Sequence, residues 1–421
     1  MKRPGGALPA YGLLGMPLAM VALPVYIQVP QYYSTVLALP LATTGIVLFA
    51  ARIIDTVQDP WLGRLADRSM QRGSLAQLLW ITAIALIVLF AGLWLVPVET
   101  PIALALWLAG ALAGVYTLHS FLTISYLAWG ARLSNDPATL VQASAWREAA
   151  GLAGVVLASA LPVWLIETGD SPRLAMAGYT LVFAVLLLAF LGLLLWRAPR
   201  WQRNHQASQP VSLRQSLALP GLGKVLLPYF LNALSVSIPA TLALFFINDH
   251  IGSPALAGVF LGAYFISGAL ALPLWSALAT RWGPVATWRL GMLIASAGFV
   301  WAIFLEHGDI LPYLMICVMA GAALGADLAM PPVILAHLIP DQHDPAAYYG
   351  LWSLLGKCAL ALSGLTLPLL ALTGYEPGGN TDTQALALVY AGLPCVFKLL
   401  AWFSLGKFSL PVRSSTLKVI T

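Results

Sequence analysis

The sequence predicts an all-α integral membrane protein of twelve transmembrane helices in two six-helix halves. Three observations carry that expectation. Of 421 residues, 60% are hydrophobic and only 9% charged, against about a quarter charged in a soluble chain, so a soluble fold could not cover its own surface. Apolar stretches such as 78–96, 102–126, 174–195 and 385–405 approach or exceed the roughly 20 residues that cross a bilayer core, and helices satisfy their backbone there where open sheets do not. Finally, Lys and Arg collect on one side of the connecting loops.

Taken in order, helices are expected near 7–29, 40–66, 76–96, 102–129, 140–165 and 174–195, then near 226–247, 255–278, 286–305, 310–338, 347–371 and 385–405. The opening Met1-Lys2-Arg3 and its apolar run resemble a secretory signal in outline. The run is long, carries Pro9, Pro17 and Pro24, and lacks a small-x-small cleavage site, so it reads as the first membrane helix. The polar stretch 196–210 sits at the midpoint, which predicts a bundle over 1–195, a linker over 196–225, a second bundle over 226–405 and a tail over 406–421. Pro60-Trp-Leu-Gly-Arg-Leu-Ala-Asp-Arg68 ends the second helix, and Pro273-Leu-Trp-Ser-Ala-Leu-Ala-Thr-Arg281 ends the eighth. Proline, Leu-Ala and arginine at identical spacing are what paired halves would show.

Lys2, Arg3, Arg68, Arg72, Arg132, Arg197, Arg200, Arg203, Arg214, Arg281, Arg289, Lys407, Arg413 and Lys418 share one side of this topology. The opposite loops carry Glu99, Glu167, Asp170, Asp249, Glu306, Asp309, Glu376 and Asp382, with Arg173 their lone basic residue. Both termini and the linker are therefore expected in the cytoplasm, the membrane being a bacterial inner membrane. The same loops account for the net charge of +5, so no nucleic-acid partner is implied. Cys317, Cys358 and Cys395, an odd number inside apolar spans, read as buried hydrophobes.

Ionisable side chains inside a bilayer cost about 2.5–3.5 kcal/mol each on insertion scales and need a reason to be there. At about 1.5 Å per residue from the cytoplasmic ends, Arg147, Asp59, Lys357, Asp55 and Asp327 fall about 10–18 Å deep. Asp55 and Asp59 are the strongest signal. An i, i+4 pair shares one helix face, and two bare carboxylates so close in low dielectric repel, so one holds a proton or both hold a cation. Oxygen ligands suit Na⁺ or H⁺, and Pro60 frees a backbone carbonyl near position 56 as a further ligand. Neutralisation by Arg52 or Arg147 is the structural alternative.

The run Arg52-Ile-Ile-Asp-Thr-Val-Gln-Asp-Pro-Trp-Leu-Gly-Arg-Leu-Ala-Asp-Arg68 resembles the second-helix signature of the glycoside–pentoside–hexuronide:cation symporters, the melibiose permease-like family of the major facilitator superfamily. Tyr11-Gly12, the stretch from Ile124 to Ala131, Arg147 and Lys357 fall where similar family features occur. The resemblance implies the major facilitator fold, a cation site at Asp55 and Asp59, and a central cavity faced by Arg147 and Lys357. Position 58, often Asn among the sugar porters, is Gln58. The family's sugar-gripping acids correspond to Ala19 and Thr123, and its stacking tryptophan to Leu127, so the equipment for a disaccharide is missing. Gly63, Asp67 and Arg68, with Arg72-Gly73, resemble the superfamily's charge clasp on the cytoplasmic gate.

Weaker candidates complete the set. Asp327, beside Pro331-Pro332, is either a solute or proton site or the ion-pair partner of Lys357. Glu148 adjoins Arg147 and is expected to point elsewhere on the helix. Tyr11, His119 and Thr123 join the expected cavity, and His119 and His337 are titratable or hydrogen-bonded packing groups. No Gly-Lys-Ser/Thr nucleotide loop, metal-ligand cluster or nucleophile motif occurs, so neither an enzyme nor an ATP-driven pump is expected, and no cofactor beyond the coupling ion. The expected function is symport of a small solute with Na⁺ or H⁺ by alternating access, by a monomer in the lipid bilayer. An anionic or lipid-like amphipathic solute is a second reading, since animal lysophospholipid symporters resemble the same family. A non-transporting sensor or assembly factor on this scaffold is a third.

Overall fold

The computed structural model describes residues 7–22, 24–134, 136–168, 171–198, 213–340, 343–375 and 383–406. Residues 199–212 of the linker expected at 196–225 and all but Gly406 of the expected tail lie outside them. The described residues are all-α and group into twelve helical passes. Nine of the described helices are long and apolar enough on their own to cross a membrane. Their outward faces, at Ile81, Leu106 and Leu270 for example, are exposed and apolar, as lipid-facing helices require.

Proline punctuates the passes. The first, α1, runs as Ala7–Gly12 and Gly15–Met20 and continues through Pro24–Gln28, Val29–Gln31 and Tyr32–Val36, with wide π turns at Pro24–Gln28 and Tyr32–Val36. Pro17, Pro24 and Pro30 each remove a backbone donor, so the single helix expected over 7–29 is segmented. Next come α2 (Leu41–Gln71), α3 (Leu75–Gly92), α4 (Pro101–Ala131), α5 (Pro137–Thr168) and α6 (Pro172–Arg197). Pro101 and Pro172 each open a helix whose first turn is capped from outside: Thr100 Oγ1 accepts from Ala103 N–H and Ser171 Oγ from Leu174 N–H.

The second six are α7 (Gly223–Phe245), α8 (Ala257–Trp282), α9 (Pro284–Phe299), α10 (Ile310–Leu338), α11 (Ala346–Ser363) and α12 (Leu393–Leu405). The Thr366–Ala371 segment prolongs α11, and Gln384–Ala387 with Leu388–Gly392 leads into α12. Gly283, at φ 80°, makes the turn from α8 to α9.

Two compact units result. One holds 1–133, 146–216 and 341–354; the other holds 134–145, 217–340 and 355–421. In the first, α2 packs on α4, and α3 on α4 and α6. In the second, α10 packs against α8 and α9, and α7 against α12. Without a hydrophobic drive between helices in lipid, close approach comes from small residues. A Cβ on Gly154 of α5 would lie 2.2 Å from the Met16 carbonyl oxygen, and one on Gly321 of α10 would lie 2.1 Å from that of Tyr264. One end of the second unit holds an aromatic stack, with Phe246 against Tyr390 at 4.1 Å and Tyr313 hydrogen-bonded to the Tyr390 hydroxyl.

Candidate ion and solute sites

The second helix places its acids on seams with two neighbours. Asp55 is 4% exposed and Asp59 fully buried. Ser120 of α4 donates to Asp55 Oδ1 at 2.9 Å. One turn on, Asp59 Oδ2 accepts the hydroxyl of Ser353 on α11. The helix continues regularly through Asp59 although Pro60 follows, and Thr56 folds its hydroxyl back to the Arg52 carbonyl.

Gln58 completes the α2–α4 seam. Thr117 Oγ1 lies 2.7 Å from Gln58 Oε1 and 2.7 Å from the Ala113 carbonyl oxygen. A hydroxyl has one hydrogen, and it cannot serve two acceptors. Meanwhile the Gln58 amide nitrogen is buried with no partner. Turning the amide over resolves both faults, since amide O and N are assigned from the network. Nitrogen then donates to Thr117, and the buried, unpartnered atom becomes an oxygen. Three residues within five positions, Asp55, Gln58 and Asp59, thus present oxygens.

Asp67 accepts the N–H groups of Ala346 and Ala347 at 2.9 Å each, one to each carboxylate oxygen. These are the orphan donors at the start of α11, where a negative charge is favoured. Gly63 lies one turn before, and a Cβ there would sit 2.3 Å from the Ala346 carbonyl oxygen. Gln71 donates to Asp344 at 2.7 Å, and Arg132 donates to the His343 carbonyl. Burial and the Arg132 charge hold the His343 imidazole below its ordinary pKa. Arg68 is exposed.

Of the expected cavity residues, Tyr11 and Arg147 come together. The Tyr11 and Tyr126 rings lie 4.6 Å apart, the Tyr126 hydroxyl donates to the Tyr11 carbonyl at 2.8 Å with the Gly12 carbonyl 3.0 Å away, and Tyr11 donates back to the Tyr126 carbonyl. Arg147, 8% exposed, binds Glu148 through Nε at 2.9 Å and Nη2 at 2.5 Å. Glu148 was expected to point away from Arg147. The arginine stem is long enough to fold back along α5 to its neighbour, so the pair forms and the cation is neutralised. His119 bonds the Leu18 carbonyl at 2.8 Å, and Thr123 Oγ1 is buried without a partner. Lys357 is half-buried on α11, one turn beyond Ser353.

Asp327 does not pair with Lys357. Its Oδ2 meets Lys398 Nζ of α12 at 2.5 Å, and its Oδ1 accepts the Trp288 indole N–H of α9 at 3.0 Å. Lys398 also donates to Asn232 of α7 at 3.2 Å. Four helices of the second unit therefore converge on one buried ion pair. Lys398 is not among the residues the sequence singles out, since no local pattern reports a partner 71 positions away.

These features sit on a known scaffold. The MFS/sugar transport protein family matches residues 8–411. The inner membrane symporter YicJ of Escherichia coli (strain K12) is 23% identical over 58% of this chain and 55% of its own, so the match spans about half of that relative. The sodium-dependent lysophosphatidylcholine symporter 1-A of Danio rerio is 21% identical over 82% of this chain and 73% of its own. Among solved structures, a bacterial homologue of the iron transporter ferroportin in an outward-facing state superposes with a TM-score of 0.72 at 18% identity, covering 94% of this chain and 98% of its own. The E. coli fucose:proton symporter FucP gives 0.68 at 13%, covering 95% and 99%.

The fold is that of the major facilitator transporters. The chain belongs to the MFS/sugar transport protein family, within the glycoside–pentoside–hexuronide:cation symporters that its second helix resembles.

Proposed function

We propose that the protein is a cation-coupled symporter in which Asp55, Asp59 and Gln58 bind a monovalent metal ion of sodium's size while solute crosses by alternating access. The observation that carries this reading is the buried carboxylate pair with a buried, unpartnered end of the Gln58 amide on the same helix turn, which the Thr117 contacts assign as its oxygen. A proton needs one oxygen, whereas a dehydrated cation needs several. An unpartnered buried oxygen is costly, and a metal ion would satisfy it. YicJ is named a symporter and the Danio relative a sodium-dependent one, which supports the same class. With family membership, an inner-membrane location and cytoplasmic termini follow as part of the proposal.

The solute reading follows from neutralised charge. Arg147 is paired with Glu148 and Asp327 with Lys398, so neither pair presents a bare charge to a strongly anionic solute. The missing sugar acids and the long match to a lysophosphatidylcholine symporter favour an amphipathic, lipid-like solute over a disaccharide. A screen of lysophospholipids and glycosides by thermal stabilisation selects the solute. With it, Asp55→Asn and Asp59→Asn are each expected to abolish ion-gradient-driven accumulation in proteoliposomes while the proteins still insert. Uptake that survives both changes would make the carboxylates structural and sink the reading.

A further inference from the structure

Ser353 is the meeting point of two features otherwise described separately. The first is the Asp67 clasp on the start of α11. The second is Asp59, eight residues or about 12 Å back along α2 at 1.5 Å per residue. Between them the inner segment of α11 lies against α2 at backbone distance. A Cβ on Gly350 would fall 2.5 Å from the Asp59 carbonyl oxygen, just as one on Gly63 would fall 2.3 Å from that of Ala346. At these two points no side chain separates the helices, so their separation answers to the bonds that hold them. Those bonds include the Asp67 carboxylate to Ala346 and Ala347 N–H, Gln71 to Asp344, and the Ser353 hydroxyl to Asp59 Oδ2. The segment 341–354 accordingly groups with α2 rather than with the remainder of α11.

We propose that Ser353 couples the ion site to the cytoplasmic closure, its bond to Asp59 holding α11 against α2 only while that carboxylate is free of cation. The proposal rests on the cation reading of Asp55 and Asp59. In the ion-free pair one carboxylate holds a proton; with it on Asp55, Asp59 carries full charge, and a hydroxyl bond to such an acceptor buried from water is strong. A metal ion on Asp59 draws the same lone pairs and lowers the charge facing Ser353, so the bond weakens. The segment is then held by the bonds at its start, those of Asp67, Gln71 and Arg132. Ion binding thereby loosens the inner end of α11, and an empty carrier keeps it shut, which prevents the ion-free transporter from opening inward. Ser353 acts through Asp59 and α11 and is a positioning residue. It need not ligate the ion.

Hydrogen exchange of the 343–354 segment, read by mass spectrometry on the full chain in lipid nanodiscs, tests this in sodium chloride against choline chloride. In the unsubstituted protein, sodium is expected to speed exchange of this segment by roughly tenfold, the effect of losing one charge-assisted bond. Ser353→Ala should exchange fast in both salts, and Ser353→Thr, which restores the hydroxyl, should recover the sodium dependence. Sodium binding measured by calorimetry on the same samples separates the two claims. Binding retained in Ser353→Ala with its sodium dependence of exchange lost supports the coupling role. Binding retained with the exchange pattern unchanged overturns it and leaves the cation reading standing. No sodium binding in the unsubstituted protein overturns the cation reading, and this proposal with it. If Ser353→Ala is poorly folded, Ser353→Cys supplies a hydroxyl-free side chain of similar size with a weaker donor, and it should show the same loss.

Discussion

Lys398 and Asp327 form a buried pair, with Asn232 and Trp288 supplying further bonds to them. Such a pair adds little net stability over apolar residues of the same shape, but removing one partner strands the other charge. Lys398→Ala should therefore cost about 3–5 kcal/mol, read as a lowered unfolding temperature of the purified protein. The double change Lys398→Met with Asp327→Leu should recover most of it. A single variant that unfolds at the original temperature would show that the pair does not hold α10 to α12. At this scale the sequence was half legible. A lone acid at mid-membrane depth stood out because the bilayer makes it expensive. Its partner did not, since Lys357 and Lys398 lie at similar depth. Which of two apolar helices turns its lysine toward α10 is decided by packing that hydrophobic periodicity does not encode when lipid and core are both apolar.

At the scale of elements, α2 carries the argument. Its charged residues, Arg52, Asp55, Asp59, Arg64, Asp67 and Arg68, keep it from looking like an ordinary span, and this made its i, i+4 pair visible. Its end was misjudged: the helix expected to stop at 66 runs to Gln71, because no breaker intervenes before Gly73 at φ 74°. The extra turn is what carries Asp67 onto the start of α11. The contact itself joins residues 279 and 280 positions apart, and no local pattern reports such a partner. Gly63 makes that contact possible. Gly63→Ala places a Cβ against backbone that cannot yield as a side chain would, so overpacking of about 1–3 kcal/mol is expected. The measurement is exchange of the 343–354 segment, which should quicken in Gly63→Ala and stay unchanged in Gly45→Ala, where a Cβ meets nothing within 4 Å. Equal exchange in the two variants would remove the role given to Gly63.

For the molecule as a whole, composition and span lengths made the all-α membrane fold legible, because the bilayer fixes both the length of each pass and the side on which basic residues collect. The segmentation of α1 and the bond network around Gln58 were not legible, since both depend on which atoms meet rather than on which residue types occur. The account's central claim is that Asp55, Gln58 and Asp59 bind sodium and that solute transport draws on it. Calorimetric titration of sodium chloride into the purified protein in nanodiscs, with choline chloride as control, tests this most directly. Saturable sodium binding is predicted for the unsubstituted protein, weakened in Gln58→Leu and lost in Asp55→Asn and Asp59→Asn. Sodium binding that is undiminished in the two aspartate variants, or absent from the unsubstituted protein, would contradict it.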